Sequence, residues 1–277
     1  MPGIDAHLHF WKFNPVRDSW ITDDMAVIQK DFLPQDLEAV LKQNGFDGCV
    51  VVQSDQSEAE NIFQLTNADE YDFIKGIVGW VDLQADNVEE RLAYYSSYQK
   101  MKGFRHVLQG EQQRNLMLAP YFMNGISKLQ QFGFTYDILI FPDQLQYISQ
   151  FVAAFPNQQF VIDHIAKPNI KEKKIRDWQR DMEAVAKFEN VFCKISGMVT
   201  EADCNNWKQE GFTPYLDVVV NAFGIKRIMY GSDWPVCLLA GSYENIFGIV
   251  KNYFSSFSKD EQDLFFGGNA TKFYNLT

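Results

Sequence analysis

Basic side chains, histidine and cysteine are all in short supply in this sequence. Lysine and arginine total 25 against 36 aspartates and glutamates, a net charge of −11. That balance argues against nucleic acid or an anionic membrane as partner, since both are held by a basic face. No apolar run approaches the ~18 residues that mark a spanning helix. No charged leader followed by an apolar stretch precedes the first strand-like segment, so the expected setting is the cytoplasm. The four cysteines, Cys49, Cys193, Cys204 and Cys237, show no CxxC spacing. This gives no support to a zinc ribbon or a thioredoxin-like motif, and leaves reduced thiols as the expectation. A Gly-rich phosphate-binding loop is missing as well, and with it the signature of a dinucleotide fold.

What the sequence does contain is a long alternation of two patterns. At 46% hydrophobic over 277 residues there is enough apolar material for a large core. Short apolar runs of the kind buried on both faces begin at Ile4 and recur at Asp47–Gln53, Ile74–Val81, Met101–Leu108, Phe134–Ile140, Phe160–Ile165, Val191–Ile195 and Arg227–Tyr230. Helical patterns follow each: from Leu33 to Asn44, then Ser57–Tyr71, Asn87–Lys100, Ala119–Phe132, Pro142–Phe155, Ile175–Phe188, Phe212–Phe223 and Ser242–Phe257. Alternating strands and helices require parallel strands with helical crossovers. Eight such units predict an α/β protein, a (β/α)8 TIM barrel occupying 1–277 as one domain, with a tail helix at about 259–273.

In such barrels the active site lies at the C-terminal ends of the strands. The sequence places polar residues at every one of those ends. His7 and His9 share a face of the first strand by alternation. With His164 from the sixth strand and Asp233 after the eighth they form a set suited to Zn2+ or another divalent ion. A metal-free hydrogen-bonded network of the same residues is the alternative. Asp233 is then a candidate ligand, general base, or both. Arg105 and His106 are candidate catalytic or binding donors, and at most one looks into the lumen unless the strand ends between them. Asp137 and Lys194 end the fifth and seventh strands and are candidate substrate-binding groups. Trp11, Trp80 and Trp234 offer aromatic faces to a sugar ring or planar lactone, or else cap the core.

Five stretches together resemble a known family: Ile4-Asp5-Ala6-His7-Leu8-His9, Gly103-Phe104-Arg105-His106, Asp163-His164-Ile165-Ala166-Lys167-Pro168, Cys193-Lys194-Ile195-Ser196-Gly197 and Met229-Tyr230-Gly231-Ser232-Asp233-Trp234-Pro235. They are similar to the amidohydrolase superfamily, in particular its amidohydrolase-2 branch of sugar lactonases of the L-fuconolactonase and L-rhamnonolactonase type. The resemblance implies a barrel that hydrolyses cyclic esters. His7, His9 and His164 would be metal ligands or carbonyl-polarising groups, and Asp233 would activate water and later protonate the leaving oxygen. Two features depart from the binuclear members: the fourth strand carries Arg105-His106 in place of a bridging residue, and the fifth has no histidine. The implied cofactor is therefore one divalent metal, or none. The expected activity is hydrolysis of a small sugar-acid lactone, with no nucleic-acid or membrane partner and self-association left open. A decarboxylase or hydratase on the same barrel, and a barrel that only binds a sugar acid, are the rival readings.

Overall fold

The computed structural model describes residues 1–277. Eight strands run parallel in chain order in one sheet: β1 (Ile4–Leu8), β2 (Gly48–Val52), β3 (Ile74–Gly79), β4 (Met101–His106), β5 (Thr135–Ile138), β6 (Phe160–Ile162), β7 (Val191–Ile195) and β8 (Ile228–Tyr230). The sheet closes on itself where Leu8 bridges Trp234. His9 N–H donates to the Trp234 carbonyl at 2.7 Å, and Asp233 N–H to the His7 carbonyl at 2.8 Å. The seam of the barrel is thus built from the residues of the two most distinctive sequence blocks.

Helices cover the outside: α1 (Pro34–Gln43), α2 (Glu58–Glu70), α3 (Val88–Tyr95), α4 (Pro120–Leu129), α5 (Ile148–Ala153), α6 (Arg176–Val185), α7 (Thr213–Phe223) and α8 (Tyr243–Tyr253). Their ends follow local chemistry. Pro34 opens α1, where its missing N–H costs nothing. The Ser57 and Ser242 hydroxyls accept the N–H of Glu60 and Asn245 at the starts of α2 and α8. No helix is long and apolar enough to cross a membrane.

Three segments differ from the sequence expectation. The stretch from Pro142 begins as a 3-10 turn to Tyr147 before α5. The tail is two short helices, α9 (Lys259–Asp263) and α10 (Asn269–Phe273), joined by a π-turn at Leu264–Gly268. The sixth strand stops at Ile162, and His164 lies beyond it in a turn.

One irregularity sets the face of the opening motif. Ile4 and Ala6 belong to the small apolar cluster inside the barrel, with Val50, Val52, Val161 and Met229. Strict alternation from Ile4 would aim His7 and His9 outward. The pairing of β1 with β2 slips between Asp5 and Leu8, which oppose Cys49 and Val51, so β1 carries one extra residue. This bulge turns Leu8 into the outer core and His7 into the lumen. Bulges beside active sites commonly re-aim a side chain in this way.

Candidate active site

Above the apolar bottom of the barrel lies a buried ionic layer from alternate lumen positions. Arg105 Nη1 donates to Asp163 Oδ2 at 2.9 Å, and its Nη2 to the Gln53 carbonyl at 2.5 Å and Gln53 Oε1 at 2.8 Å. Lys194 Nζ sits 2.5 Å from Asp137 Oδ2, 3.1 Å from Asp163 Oδ1 and 3.2 Å from His7 Nδ1. Asp137, Asp163 and Lys194 have no solvent exposure at all. Charges taken so far from water require partners. Two cations and two carboxylates meet that requirement.

Three imidazoles stand over this layer, each anchored by one ring nitrogen. His7 Nδ1 is 3.2 Å from Asp163 Oδ1. His9 Nδ1 donates to the Val52 carbonyl at 2.7 Å. His164 Nδ1 meets Ser196 Oγ at 2.9 Å. All three Nε2 atoms consequently face one oxygen, Asp233 Oδ1, at 3.9, 3.3 and 3.9 Å. Fixing one nitrogen of a metal-binding histidine through a second group is how such sites set tautomer and aim.

The backbone is shaped to bring these rings together. His164, Ile165, Ala166 and Lys167 form a run in left-handed conformation, φ 54, 47, 57 and 49°. Left-handed backbone costs an L-residue about 1–2 kcal/mol. The run is held by Lys167 N–H to the His164 carbonyl at 2.8 Å and by Trp178 Nε1 to the Ile165 carbonyl at 2.7 Å. Asp233 is also left-handed, φ 60°. Gly197, φ +61°, lies so near that a Cβ there would be 2.5 Å from His164 Nδ1. A Cβ on Gly231 would be 2.5 Å from that of His7. Only glycine allows either approach.

Burial drives His7 well below the usual histidine range, against the opposing charge of Asp163, and lowers His164 to about 4 against that of Asp233. Both rings are therefore neutral near pH 7, the form that offers a lone pair. Burial would raise the Asp233 carboxyl, but His164, a hydrogen bond with His9, and His7 together hold it well below the usual range. Arg105 and Lys194 balance Asp137 and Asp163, so the Asp233 charge has no fixed cation opposite it. The ligand atoms of His7, His164 and Asp233 all lie within 4.8 Å of one another. Neutral imidazole nitrogens and one unbalanced carboxylate fit a single divalent transition ion.

Not every candidate residue joins this cluster. Arg105 faces the lumen, and His106 faces the helix layer, where its Nε2 pairs with Glu111 at 2.8 Å and its ring packs on Phe122. His106 is thus removed from the reacting centre by strand alternation. Asp137 and Lys194 were expected to meet substrate; they are sealed beneath the imidazoles with their charges spent on each other. Trp11 is corrected likewise: it is 1% exposed, donates Nε1 to the Lys30 carbonyl and packs on Phe32 beside His9. Trp234 is wedged between Phe10 and Phe32. Trp80 is half-buried, and its Nε1 has no hydrogen-bond partner.

Several participants went unselected in the sequence: Gln53, Asp163, Ser196 and Tyr274. Asp163 and Gln53 do stand at strand ends, and Ser196 shares the face of Lys194. Tyr274, whose hydroxyl lies 2.8 Å from Asp137 Oδ2, carried no such signal, because its approach is from the opposite end of the barrel. Open surface beside the site is provided by a cleft of 1100 Å³ over the loops following β5, β6 and β7, lined by Phe141, Lys167 and Glu201 among others. Lys167 Nζ is 3.7 Å from Glu201 Oε1. Burial raises Glu201, Lys167 opposes this, and the nearby Asp233 adds to it.

Comparison with known proteins adds three findings. Residues 4–276 match the family model described as amidohydrolase. The chain is 34% identical to an L-fucono-1,5-lactonase of Burkholderia multivorans, covering 99% of this chain and 96% of that protein. It is also similar to a crystal structure of an amidohydrolase from Burkholderia multivorans with bound zinc, with 34% identity, a TM-score of 0.97 and 100% of both chains covered.

Proposed function

The chain belongs to the amidohydrolase family, and from that premise we propose that it is a lactonase that opens the cyclic ester of a small sugar acid. The observation that carries this reading is the convergence of three Nε2 atoms on one oxygen of a buried carboxylate. The Burkholderia multivorans L-fucono-1,5-lactonase supports the reaction class and makes L-fucono-1,5-lactone the first substrate to try.

His7, His164 and Asp233 would hold one divalent ion, with His9 alongside, and the zinc-bound Burkholderia structure supports zinc. Such an ion, when bound, supplies Lewis-acid polarisation of the ring carbonyl. Asp233 takes a proton from the attacking water as the new carbon–oxygen bond forms. The developing oxyanion lies in the field of Arg105, whose Nη1 is 3.4 Å from His7 Nε2. Collapse of the tetrahedral adduct breaks the bond between the carbonyl carbon and the ring oxygen. Asp233 returns its proton to that oxygen, and the product is an open-chain hydroxy acid. The lactone enters across the cleft at Phe141, Lys167 and Glu201. The proposed setting is the cytoplasm, which four unpaired cysteines support.

A pH-indicator assay over a panel of sugar lactones, begun with L-fucono-1,5-lactone and an L-rhamnonolactone, tests the proposal. Enzyme-dependent acid release is the expected result. Carbon dioxide release from a carboxylated substrate, with every lactone left intact, would instead make the protein a decarboxylase.

A further inference from the structure

We propose that Tyr274 is a positioning residue of the active site, acting from the bottom of the barrel through Asp137 and Lys194 to select the tautomer of His7. The inference rests on the hydrolase reading above for its kinetic consequence, and on geometry for the rest.

The segment after α10 folds back into the end of the barrel opposite the site. Phe273 and Tyr274 pack there against the inward residues Ile4, Val50, Phe192 and Met229. Phe273 is purely apolar at this position, its ring 4.9 Å from that of Phe192. Tyr274 is 2% exposed and does more than fill space. Its hydroxyl reaches up to the Asp137 carboxylate, 2.8 Å from Oδ2 and 3.0 Å from Oδ1. Its ring lies beneath Lys194, with Nζ 5.4 Å from the centroid. A continuous series of contacts then runs from Tyr274 to Asp137, to Lys194, and to His7 Nδ1.

The consequence follows from what each group can donate. An ammonium only donates, and a neutral imidazole has one donor and one acceptor nitrogen. Lys194 Nζ stands 3.2 Å from His7 Nδ1, close enough to donate to it. Were it to do so, the ring proton would move to Nε2, and His7 would present N–H instead of a lone pair towards Asp233. Two carboxylates compete with the ring nitrogen for the ammonium protons. Asp137 and Asp163 draw the ammonium protons, at 2.5 and 3.1 Å. Asp163 Oδ1, a buried oxygen 3.2 Å from His7 Nδ1 with no other hydrogen-bond partner, is the acceptor this leaves for the Nδ1 proton. Arg105 Nη1, also a pure donor, faces Nε2 at 3.4 Å and agrees with that assignment. Asp137 can compete for Lys194 only while it is held in place, and the Tyr274 hydroxyl spans both of its oxygens.

The test is Tyr274→Phe in the full-length protein, which keeps the ring and removes the hydroxyl. Expected are a roughly tenfold fall in kcat with KM within about twofold, and a roughly tenfold weaker zinc dissociation constant by competition with a chromophoric chelator. Nitrogen-15 NMR of the metal-free protein should show His7 shifted towards the Nε2–H tautomer. Phe273→Leu, in the same segment, should lower the melting temperature while leaving kcat, zinc affinity and tautomer alone. If Tyr274→Phe lowers only the melting temperature, the residue is a structural plug and the proposal is overturned. Should that variant not fold, Asp137→Asn must give the same tautomer change, and an unchanged His7 there is equally fatal. If the wild-type protein opens no lactone, the hydrolase reading falls, while zinc affinity and the His7 tautomer still decide this inference.

Discussion

Asp233 sits in left-handed backbone with three imidazole nitrogens around one carboxylate oxygen, so its charge is the centre of the site. Replacement by Asn keeps the shape and removes the basic oxygen. The expected loss in kcat is about 10²- to 10⁴-fold, the usual worth of a general base, with an unchanged circular dichroism spectrum. Turnover near the wild-type value would take Asp233 out of the base role. His164 gives a pH prediction. Its ring is lowered to about 4 by burial, against an ordinary value of 6.5. Between those values the unfolded chain binds a proton that the folded chain does not, so stability falls as pH drops from 6.5 towards 4. The loss is on the order of 3 kcal/mol, readable by urea denaturation at a series of pH values in chelator. His164→Asn should make that slope shallower, with the contribution of the equally buried His7 remaining. Trp11 was expected to face substrate but is buried beside His9. Trp11→Phe should therefore lower stability by about 1–3 kcal/mol with KM unchanged.

At the scale of elements, two local distortions do the aiming. The bulge in β1 rotates His7 into the lumen, and the left-handed turn after β6 swings His164 over it. The His7/His9 pair and His164 were visible in the sequence, but their orientation was not. An alternation rule assumes regular pairing, and a single extra residue reverses it. The same rule did separate Arg105 from His106, because β4 keeps its register with β5 throughout. Gly197 is the element-scale test. Gly197→Ala forces a Cβ against His164 in backbone that disfavours it. It should lower stability by about 1–2 kcal/mol and weaken zinc binding, measured by denaturation and by chelator competition. An alanine variant with wild-type zinc affinity would show that the turn has slack.

For the whole molecule, strand order and closure bring residues 7, 164 and 233 to one point although the chain separates them widely. A ligand that binds only the folded state stabilises it by mass action. Zinc at about 100 times its dissociation constant should raise the unfolding free energy by about 2.7 kcal/mol, measured by denaturation with and without metal. His7→Ala should abolish the increase. A wild-type protein indifferent to zinc would favour the metal-free network of the same side chains.

The barrel itself was legible because eight apolar runs, each followed by a helical pattern, leave little other way to bury both faces of parallel strands. The Asp-Ala-His-Leu-His and Gly-Ser-Asp-Trp-Pro blocks likewise marked where chemistry was to be sought. The sequence by itself thus determined the fold class, the family and the residue types at the mouth. Only the tertiary structure decided which of those residues face one another. That Asp137 and Lys194 lie under the site, that His106 looks away, and that Tyr274 reaches it from below depend on closure of the sheet and on one bulge. These are long-range geometric facts, and no local pattern encodes them.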